Sequence, residues 1–480
     1  MDRKQLLIGG EWRDAEGGKT QPVINPATEE VIAEVGSASR GDVDAAVAAA
    51  RAALTGPWRK MSARERGRVI WRVGERLTEK IDEVARLETL HNGKPITESR
   101  HIEIPMAAEC LQYFAGWADK IHGETVPVKS NGLVYTLREP LGVVAAIVPW
   151  NFPLLLAMWK VAPALAAGNT VVLKPASQTP LTALAFGQIA LDAGLPPGVL
   201  NVITGSGATV GQAIVEHPGV NKIAFTGDTS TGRGVMRTAA ETVKHLTLEL
   251  GGKSPNIVFP DADLDAAVRG ATVGIFYGKG EVCAAGSRLL VDRSIKDQFI
   301  AKVAERTKKM VPGDPLDPKT RLGAIASKAQ LERVLNYVQI AKTEGASLVA
   351  GGSRADIGTG KGFFMQPTVF TDVTPEMTIA REEIFGPVLA AIEFGDVDEA
   401  IARANDSMYG LAAGVWTRDL KKAHYVASRL EAGTVWVNTY NVYDTAASFG
   451  GYKQSGFGRE MGQHALDFYT QSKTVWIDLS

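Results

Sequence analysis

The hydrophobic pattern from about residue 140 onward alternates short apolar runs with longer helical segments. Five runs rich in β-branched residues have the composition of buried strands: GVVAAIV (142–148), TVVLKP (170–175), VLNVIT (199–204), KIAFTG (222–227) and HLTLEL (245–250). The segments between them carry helix-forming residues with apolar spacing: Leu154–Ala167, Leu181–Ala193, Ala208–Glu216 and Thr231–Glu241. Strands that alternate with helices in this way predict an open, mostly parallel sheet covered on both faces.

A second unit with the same alternation begins after residue 254. Its strands are predicted at SPNIVF (254–259), RLLVD (288–292), VLAAIEF (388–394) and TVWVN (434–438), with a helix from Asp263 and another over Lys296–Lys309. The sequence therefore predicts an α/β fold with two open, mostly parallel domains.

The remaining segments are helical or form exposed strands. Helical stretches are predicted over Val43–Leu54 and Ala63–Glu88, and exposed strands over 121–139 and KTVWIDL (473–479). An apolar terminal strand promotes aggregation unless another strand covers it. We therefore predict that these two strands form a small β extension at an intersubunit surface.

Composition excludes several classes of function. Because 52 basic residues balance 53 acidic ones, for a net charge of −1, nothing attracts the chain to nucleic acid or to an anionic membrane. Only two cysteines are present, with no CxxC or HxxxH spacing, so neither a disulfide framework nor a metal site is expected. The start MDRKQLLIGGEWRD lacks an apolar segment of signal-peptide length, and prolines and Lys160 interrupt the apolar region Leu141–Ala167. We expect a cytoplasmic protein.

The segment FYGKGEVCAAGSR (276–288) places Cys283 among glycines and alanines. A structural cysteine normally packs among branched apolar side chains. Small neighbours leave room for a second molecule beside the sulfur, as a nucleophile requires. A buried, inert cysteine remains the alternative for this segment taken alone.

Polar residues follow the predicted strands of the first unit. They are PWN (149–151), KPAS (174–177), TGSG (204–207) and FTGDTSTG (225–232). Ligands of open α/β sheets bind beyond the carboxyl ends of the strands, and a glycine turn before a helix offers N–H groups to a phosphate. The signal is not a GxGxxG fingerprint, and a simple glycine turn is the alternative.

Glu249, in LELGGKSP (248–255), ends an apolar strand. A carboxylate held among apolar neighbours suits a general base, because burial shifts its pKa. A carboxylate ion-paired at the strand end is the alternative.

These motifs, with EEIFGPV (382–388) and SFGGYKQSGFGRE (448–460), resemble those of the aldehyde dehydrogenase family, in order from INPAT (24–28) to the final strand. The resemblance implies that residues 1–120 and 140–252 form a coenzyme-binding domain and that 253–454 form a catalytic domain. Segments 121–139 and 455–480 would mediate assembly into a homodimer or homotetramer.

The resemblance also implies catalytic roles. Cys283 would attack the aldehyde carbonyl, and the Asn151 amide with the Cys283 N–H would hold the oxyanion. Glu249 would activate water to hydrolyse the thioester and could also take the thiol proton. Lys160 and Glu460 resemble a pair that relays protons, although an ordinary ion pair is the alternative. Asn151 could instead be a turn residue before Pro153.

Residues for the coenzyme follow from the same resemblance: Trp150, Lys174, Ser177, Gly207, Gly227, Asp228, Leu250, Glu383 and Phe385. Glu383 would hold the nicotinamide ribose, with a helix-terminal carboxylate as its alternative. NAD-specific members commonly carry Glu where this chain has Ser177, so we expect both NAD and NADP to be accepted.

The substrate pocket implied by the resemblance is mostly aromatic: Phe152, Leu156, Trp159, Val282, Tyr443 and Phe449. Such walls suit an apolar or aromatic aldehyde. Asp444 could instead receive a cationic aminoaldehyde. No arginine among these positions would bind a second carboxylate.

Three positions depart from the family pattern. Gly278 stands where Asn is usual and removes a side chain that could brace the loop. Glu281 stands where Gln is usual and puts a possible negative charge beside Cys283, which would raise the thiol pKa if the carboxyl is ionised. Asp228 stands where Ser is common, and we expect it to cap the following helix.

Two other functions remain open from the sequence. An acylating dehydrogenase would pass the thioester to coenzyme A, but it would not need Glu249 as a base. A non-enzymatic binding protein would not need Cys283, Asn151, Glu249 and Glu383 together. Absorbance at 340 nm, with and without coenzyme A, separates the three.

Overall fold

Two large sheets form the framework of the chain in a computed structural model that describes residues 3–480. The first sheet has eight strands, in the spatial order Gly456–Phe457, His245–Glu249, Lys222–Thr226, Val143–Ile147, Thr170–Lys174, Leu200–Val202, Leu6–Ile8 and Glu11–Arg13. Neighbours from His245–Glu249 to Leu200–Val202 are parallel, and the edge pairs are antiparallel. The five predicted strands are confirmed, because continuous β-branched runs bounded by turn residues leave few alternatives.

The second sheet has seven strands, in the spatial order Ser347–Ala350, Thr368–Thr371, Val388–Phe394, Arg288–Asp292, Pro255–Val258, Ala412–Trp416 and Thr434–Val437. Its first pair is antiparallel and the other neighbours are parallel. The predicted α/β fold with two open, mostly parallel sheets is confirmed.

Helices cover the faces of both sheets. The α-helices are Arg40–Ala53, Pro57–Lys60, Ala63–Glu79, Ile81–Asn92, Ile96–Glu98, Ile104–Trp117, Pro153–Ala166, Leu181–Asp192, Gln212–Glu216, Thr229–Ala240, Leu264–Phe276, Lys296–Lys308, Lys328–Thr343, Thr378–Arg381, Val397–Asn405 and Leu420–Ala427. The stretch predicted to be helical over Ala63–Glu88 is helical but not continuous, because Lys80 has φ −107° and ψ 16° and divides it into two helices. The helix predicted from Ala208 opens with a π-helical turn over Gly207–Gly211.

The apolar region Leu141–Ala167 forms a core strand and a core helix. Every residue of the helix Pro153–Ala166 is buried, including Lys160. Val144 and Ala146 of the neighbouring strand belong to the same hydrophobic core. Within residues 3–480, no helix combines the length and the apolar character needed to cross a membrane.

A three-stranded antiparallel sheet lies apart from the two large ones and consists of Thr470–Asp478, Gly132–Pro140 and Thr125–Val126. The strand predicted over 121–139 is thus shorter and interrupted, because residues 127–131 form a turn. The tail strand pairs with its neighbour in the register Lys473 opposite Leu137. Smaller sheets join Arg3–Lys4, Val31–Gly36 and Thr20–Ile24, and also Tyr409–Gly410 with Tyr452–Lys453.

This three-stranded sheet carries exposed apolar side chains. Trp476 is 65% exposed, and Leu133, Leu137 and Ile477 are each about 40% exposed. The domain boundaries and the intersubunit role remain predictions, and the first two residues of the predicted segment 1–120 lie outside the described residues. Gly456–Phe457, predicted to belong to the assembly segment, pairs with the edge of the first sheet.

Candidate active site

Cys283 lies where two cavities meet. One cavity has a volume of about 280 Å³ and the other of about 360 Å³, and the Cys283 side chain lines both. The short 3-10 turn Tyr277–Gly280 leads into the cysteine, and the strand Arg288–Asp292 of the second sheet follows it. A thiol at this position can contact two different molecules, one from each cavity.

The first cavity brings together six of the nine residues predicted to bind a coenzyme. They are Trp150, Gly227, Asp228, Leu250, Glu383 and Phe385, and Asn151 also lines this cavity. The rings of Trp150 and Phe385 meet edge to face with centroids 5.2 Å apart. Most of these residues follow strands of the first sheet, as the rule for open α/β sheets requires.

Glu383 is bonded to the segment that follows the strand His245–Glu249. Its Oε1 accepts a hydrogen bond of 2.9 Å from the N–H of Gly252. Burial raises the pKa of Glu383 to about 7, against the lowering effect of that hydrogen bond and of Lys253. The carboxylate therefore lies inside the cavity wall rather than on a solvated helix end.

Sequence reasoning missed Gln330 and Arg333, which also line the first cavity. Gln330 Nε2 donates to the Phe385 carbonyl at 2.6 Å, and Arg333 Nη2 donates to the Glu383 carbonyl at 3.1 Å. Both lie on one face of the helix Lys328–Thr343. The spacing of three residues between Gln330 and Arg333 places them side by side on a helix. Every helix has such pairs, so the spacing alone could not identify these two residues as part of a site.

Lys174, Ser177 and Gly207 do not line the first cavity. They lie at and after the end of the strand Thr170–Lys174 and at the start of the turn Gly207–Gly211. Ser177 Oγ donates to the Gly205 carbonyl at 3.0 Å, and Lys174 Nζ donates to the Pro175 carbonyl at 3.1 Å. Burial lowers the pKa of Lys174 to about 8. The turn that begins at Gly207 lies against the Lys174 side chain.

Asp228 caps the helix Thr229–Ala240, as predicted. Its Oδ1 accepts from the N–H groups of Ser230 at 2.9 Å and Thr231 at 3.0 Å. Burial tends to raise the pKa of Asp228, but hydrogen bonds from Thr231 and Ser230 leave it below its usual value. The carboxylate thus occupies N–H groups that would otherwise be free for a phosphate at this helix start.

All six residues predicted for a substrate pocket line the second cavity. Trp159, Tyr443 and Phe449 form one aromatic cluster, with ring centroids 5.5 to 6.3 Å apart. Walls of this kind bury apolar surface and offer few hydrogen bonds to a ligand.

The mouth of the second cavity is apolar as well, which sequence reasoning missed. Ile102, Val273 and Val442 line it and are 41%, 42% and 59% exposed. They come from three distant segments, so no local pattern identified them. Asp444 is exposed, does not line the cavity, and accepts a turn hydrogen bond of 2.8 Å from the Ala446 N–H. The interpretation of Asp444 as a partner for a cationic substrate is therefore not supported.

Glu249 lines the second cavity at the end of its strand. Both of its carboxylate oxygens are buried without a hydrogen-bond partner. Burial, and next the charge of Glu460, raise the pKa of Glu249 well above its usual value. An unpartnered carboxylate facing a cavity is available to accept a proton from a molecule bound there.

Lys160 and Glu460 lie behind Glu249 and form a buried ion pair. Lys160 Nζ also donates to Thr226 Oγ1 at 2.8 Å. Glu460 and Thr226 line the second cavity, whereas Lys160 is not among its lining residues. The pair is close enough to shift the pKa of Glu249 in opposite directions.

The Cys283 thiol favours its protonated form in this arrangement, because its pKa is raised. Burial first, and then the charges of Glu249 and Glu383, raise its pKa to about 12. The expectation that Glu281 would place its charge beside the thiol is wrong. Its carboxylate contacts Lys279 and the N–H of Ala326, and the charges that raise the pKa of Cys283 are those of Glu249 and Glu383.

Asn151 is held from both ends. Its side-chain Nδ2 donates a hydrogen bond of 2.9 Å to the backbone carbonyl of Glu281. Its backbone carbonyl accepts a hydrogen bond of 2.7 Å from Lys94 Nζ. The amide group thus lies beside the segment that carries Cys283. An amide N–H, a thiol and a carboxylate around one point can support addition of the sulfur to a carbonyl group.

Comparison with known proteins gives matches over nearly the whole chain. The family model described as "Aldehyde dehydrogenase family" matches residues 12–475. The mitochondrial aldehyde dehydrogenase of Homo sapiens is 49% identical over 476 residues, which cover 98% of this chain and 92% of that protein.

Two solved structures are similar over the whole chain. An aldehyde dehydrogenase from Bacillus cereus, in complex with NAD+, has 49% identity and a TM-score of 0.98, covering 100% of this chain and 97% of that one. The indole-3-acetaldehyde dehydrogenase AldA of P. syringae, in complex with NAD+ and IAA, has 46% identity and the same TM-score and coverage.

Proposed function

Because the chain belongs to the aldehyde dehydrogenase family, we propose that it oxidises an aldehyde to the carboxylic acid with NAD or NADP through a thioester on Cys283. The observation that supports this most is the position of Cys283 between two cavities, one aromatic and one lined by polar strand ends. The chain is an enzyme of the aldehyde dehydrogenase kind, and the mechanism that we propose uses the groups around the thiol.

The residues present fit a nicotinamide dinucleotide. Glu383 offers a carboxylate to ribose hydroxyls, and Trp150 with Phe385 offers an apolar contact for a ring. Lys174 and Ser177 would offer donors in exchange for their bonds to the Pro175 and Gly205 carbonyls. NAD+ is bound by the B. cereus and P. syringae proteins. When bound, the coenzyme accepts the hydride that leaves the former aldehyde carbon.

The protein groups account for the remaining chemistry. Cys283 loses its proton to a base, for which Glu249 is an unpartnered carboxylate on the same cavity, and its sulfur adds to the carbonyl carbon. The Asn151 amide and the Cys283 N–H stabilise the oxyanion. Lys160 and Glu460 would carry the thiol proton onward and leave Glu249 deprotonated. After the thioester forms, Glu249 takes a proton from water, whose oxygen attacks the acyl carbon. The acid is released, and the leaving sulfur takes the proton from Glu249 to become the thiol again.

The substrate class follows from the second cavity. Its walls are aromatic and its mouth is apolar, with Glu249, Glu460 and Cys283 among the lining residues but no Arg, Lys or His. A carboxylate-bearing semialdehyde would therefore find no cationic partner there. We propose an apolar or aromatic aldehyde as the substrate.

Absorbance at 340 nm tests the proposed function. The purified protein is given an aliphatic aldehyde, an aromatic aldehyde, an ω-aminoaldehyde and a semialdehyde acid, each with NAD or NADP and with or without coenzyme A. We expect the highest kcat/KM with the aliphatic or aromatic aldehyde, with no requirement for coenzyme A. Activity that appears only with coenzyme A would favour the acylating alternative, and the absence of reduced coenzyme under all conditions would contradict the proposal.

Ser177→Glu should raise the KM for NADP selectively. At about 4 Å and an effective dielectric constant near 20, a unit-charge pair is worth about 4 kcal/mol before screening. Even a quarter of this repulsion between Glu and a 2′-phosphate would raise the KM about fivefold. In the parent, the Ser177 hydroxyl can donate to a phosphate oxygen, and Lys174 supplies positive charge nearby.

The matched control for Ser177→Glu is Gln178→Glu, which adds the same charge at the adjacent, exposed position. It should change neither KM appreciably. Parent activity with NADP below a hundredth of that with NAD would show that other contacts decide the choice of coenzyme.

Deletion of Lys473–Ser480 should disrupt an assembly. We propose a homodimer or homotetramer, because the three-stranded sheet exposes Trp476, Ile477, Leu133 and Leu137. The deletion removes most of the tail strand and leaves the edge of Gly132–Pro140 unpaired. Light scattering should report a smaller particle or aggregation. The same mass as the full chain would rule out a role of this strand in assembly, and Leu479→Gln, which keeps the strand, is the control.

A further inference from the structure

The turn before Cys283 contains a buried ion pair that the proposed chemistry does not use. Lys279 Nζ lies 2.8 Å from Glu281 Oε2, and the two side chains are 1% and 0% exposed. The contact is an ion pair rather than an aligned hydrogen bond, because Glu281 Oε2 has no hydrogen-bond partner. Two opposite charges enclosed in the turn that precedes the proposed nucleophile call for an explanation, since buried charges are costly unless they are paired.

Both members of the pair are also tied to distant segments. Lys279 Nζ donates to the backbone carbonyl and to Oδ1 of Asn92, each at 2.8 Å. Glu281 Oε1 accepts 3.0 Å from the N–H of Ala326. The turn is therefore attached to the end of the helix Ile81–Asn92 on one side and to the loop at Ala326 on the other.

The backbone of this turn needs such attachment. Gly278, Lys279 and Gly280 have φ values of 54°, 63° and 71°, three left-handed residues in a row. Lys279 has a side chain and is disfavoured in this region. At Gly280 a Cβ would collide with the carbonyl of Gly386. The turn is thus held in a conformation that the chain would not adopt by local preference.

Hydrogen bonds of the turn also extend to Asn151, the proposed oxyanion donor. Asn92 Nδ2 donates to the Trp150 carbonyl at 2.7 Å, while its Oδ1 accepts from Lys279. Asn151 Nδ2 donates to the backbone carbonyl of Glu281 at 2.9 Å. One connected set of hydrogen bonds therefore joins the turn before Cys283 to the residues after the strand Val143–Ile147.

We propose that Lys279 and Glu281 are a positioning pair that sets the place of the Cys283 sulfur relative to the Asn151 amide. The inference rests on the proposed function, in which Cys283 is the nucleophile and Asn151 holds the oxyanion. Neither residue lines either cavity, so the pair acts through the turn and through Asn92 rather than by touching a substrate.

Three variants test the pair: Lys279→Gln, Glu281→Gln and the double replacement. Each single variant leaves one buried charge without its partner and should lower kcat about tenfold or more, since small misplacements of reacting groups are costly. The dissociation constant for NAD should stay within about twofold, because Lys279 and Glu281 are outside the first cavity. The double variant should recover kcat to within about threefold of the parent, because two amide side chains can hydrogen-bond to each other, to Asn92 and to Ala326.

Alkylation of Cys283 by iodoacetamide, measured without substrate, gives a second readout. We expect its rate to change by the same factor as kcat in the single variants and to recover in the double variant. Lys296→Gln is the matched control, because it also removes a lysine ion pair, with Asp372 at 2.7 Å, at the far end of the second sheet. It should leave kcat and the alkylation rate unchanged.

Several outcomes would overturn the inference. They are unchanged kcat and alkylation in the single variants, or a double variant whose loss is the product of the two single losses. If Lys279→Gln does not fold, Lys279→Arg replaces it, since it keeps the charge and changes the geometry; kcat equal to the parent's would then overturn the pair's role. A parent protein that is alkylated but oxidises no aldehyde contradicts only the proposed function, and the alkylation rates of the variants still decide the inference.

Discussion

Cys283→Ala is expected to lower aldehyde oxidation by about 10⁴-fold or more, because no other group in the site can form the covalent intermediate. NAD binding should persist, since the first cavity is lined mainly by residues from other segments. Steady-state absorbance at 340 nm measures the first effect, and equilibrium titration with NAD the second. Turnover within tenfold of the parent would exclude Cys283 as the nucleophile.

Cys110→Ala is the matched control for this result. Cys110 is fully buried in the helix Ile104–Trp117, and its sulfur donates only a weak contact of 3.5 Å to the Met158 carbonyl. Burial raises the pKa of its thiol, and unlike Cys283 it lines neither cavity, so a bound substrate cannot reach its sulfur. Its replacement should leave kcat/KM close to the parent's.

Glu249→Gln is expected to slow thioester hydrolysis by about 10²- to 10⁴-fold while affecting hydride transfer less. The amide keeps the shape of the carboxylate but cannot take a proton from water. Stopped-flow absorbance should then show a burst of reduced coenzyme followed by slow turnover. Equal losses in both steps, or no loss, would show that Glu249 is not the base for hydrolysis.

The pH dependence gives a second check on Glu249. A base works in its deprotonated form, and burial with Glu460 raises the pKa of Glu249 well above its usual value. In the parent, the rate of thioester hydrolysis should therefore increase as the pH rises through that raised pKa. The increase should disappear in Glu249→Gln.

The strands and helices were largely predictable from local sequence. The run TVVLK, for example, is β-branched and bounded by Asn and Pro, and it forms the strand Thr170–Lys174. The break at Lys80 was not predictable in the same way, because the helical pattern of Ala63–Glu88 continues through it. A change in one residue's backbone angles leaves no trace in apolar spacing.

The candidate site was only partly predictable. Motifs and the family resemblance selected Cys283, Glu249 and Glu383, and the structure places all three on cavity walls. The buried lysines Lys94 and Lys279 were not predicted to belong to the site, because a lysine side chain is normally exposed to solvent. Their burial depends on partners contributed by other segments, such as Glu103 for Lys94.

The sequence by itself determined the order of strands and helices, the polar strand ends and the small residues around Cys283, since each depends on local chemistry and spacing. Only the tertiary structure decided where side chains point. It paired Glu281 with Lys279, left Asp444 in solvent, and brought Cys283 to the junction of the two cavities. Such directions result from packing between segments far apart in the chain, where many weak contacts act together and no single local preference specifies the outcome.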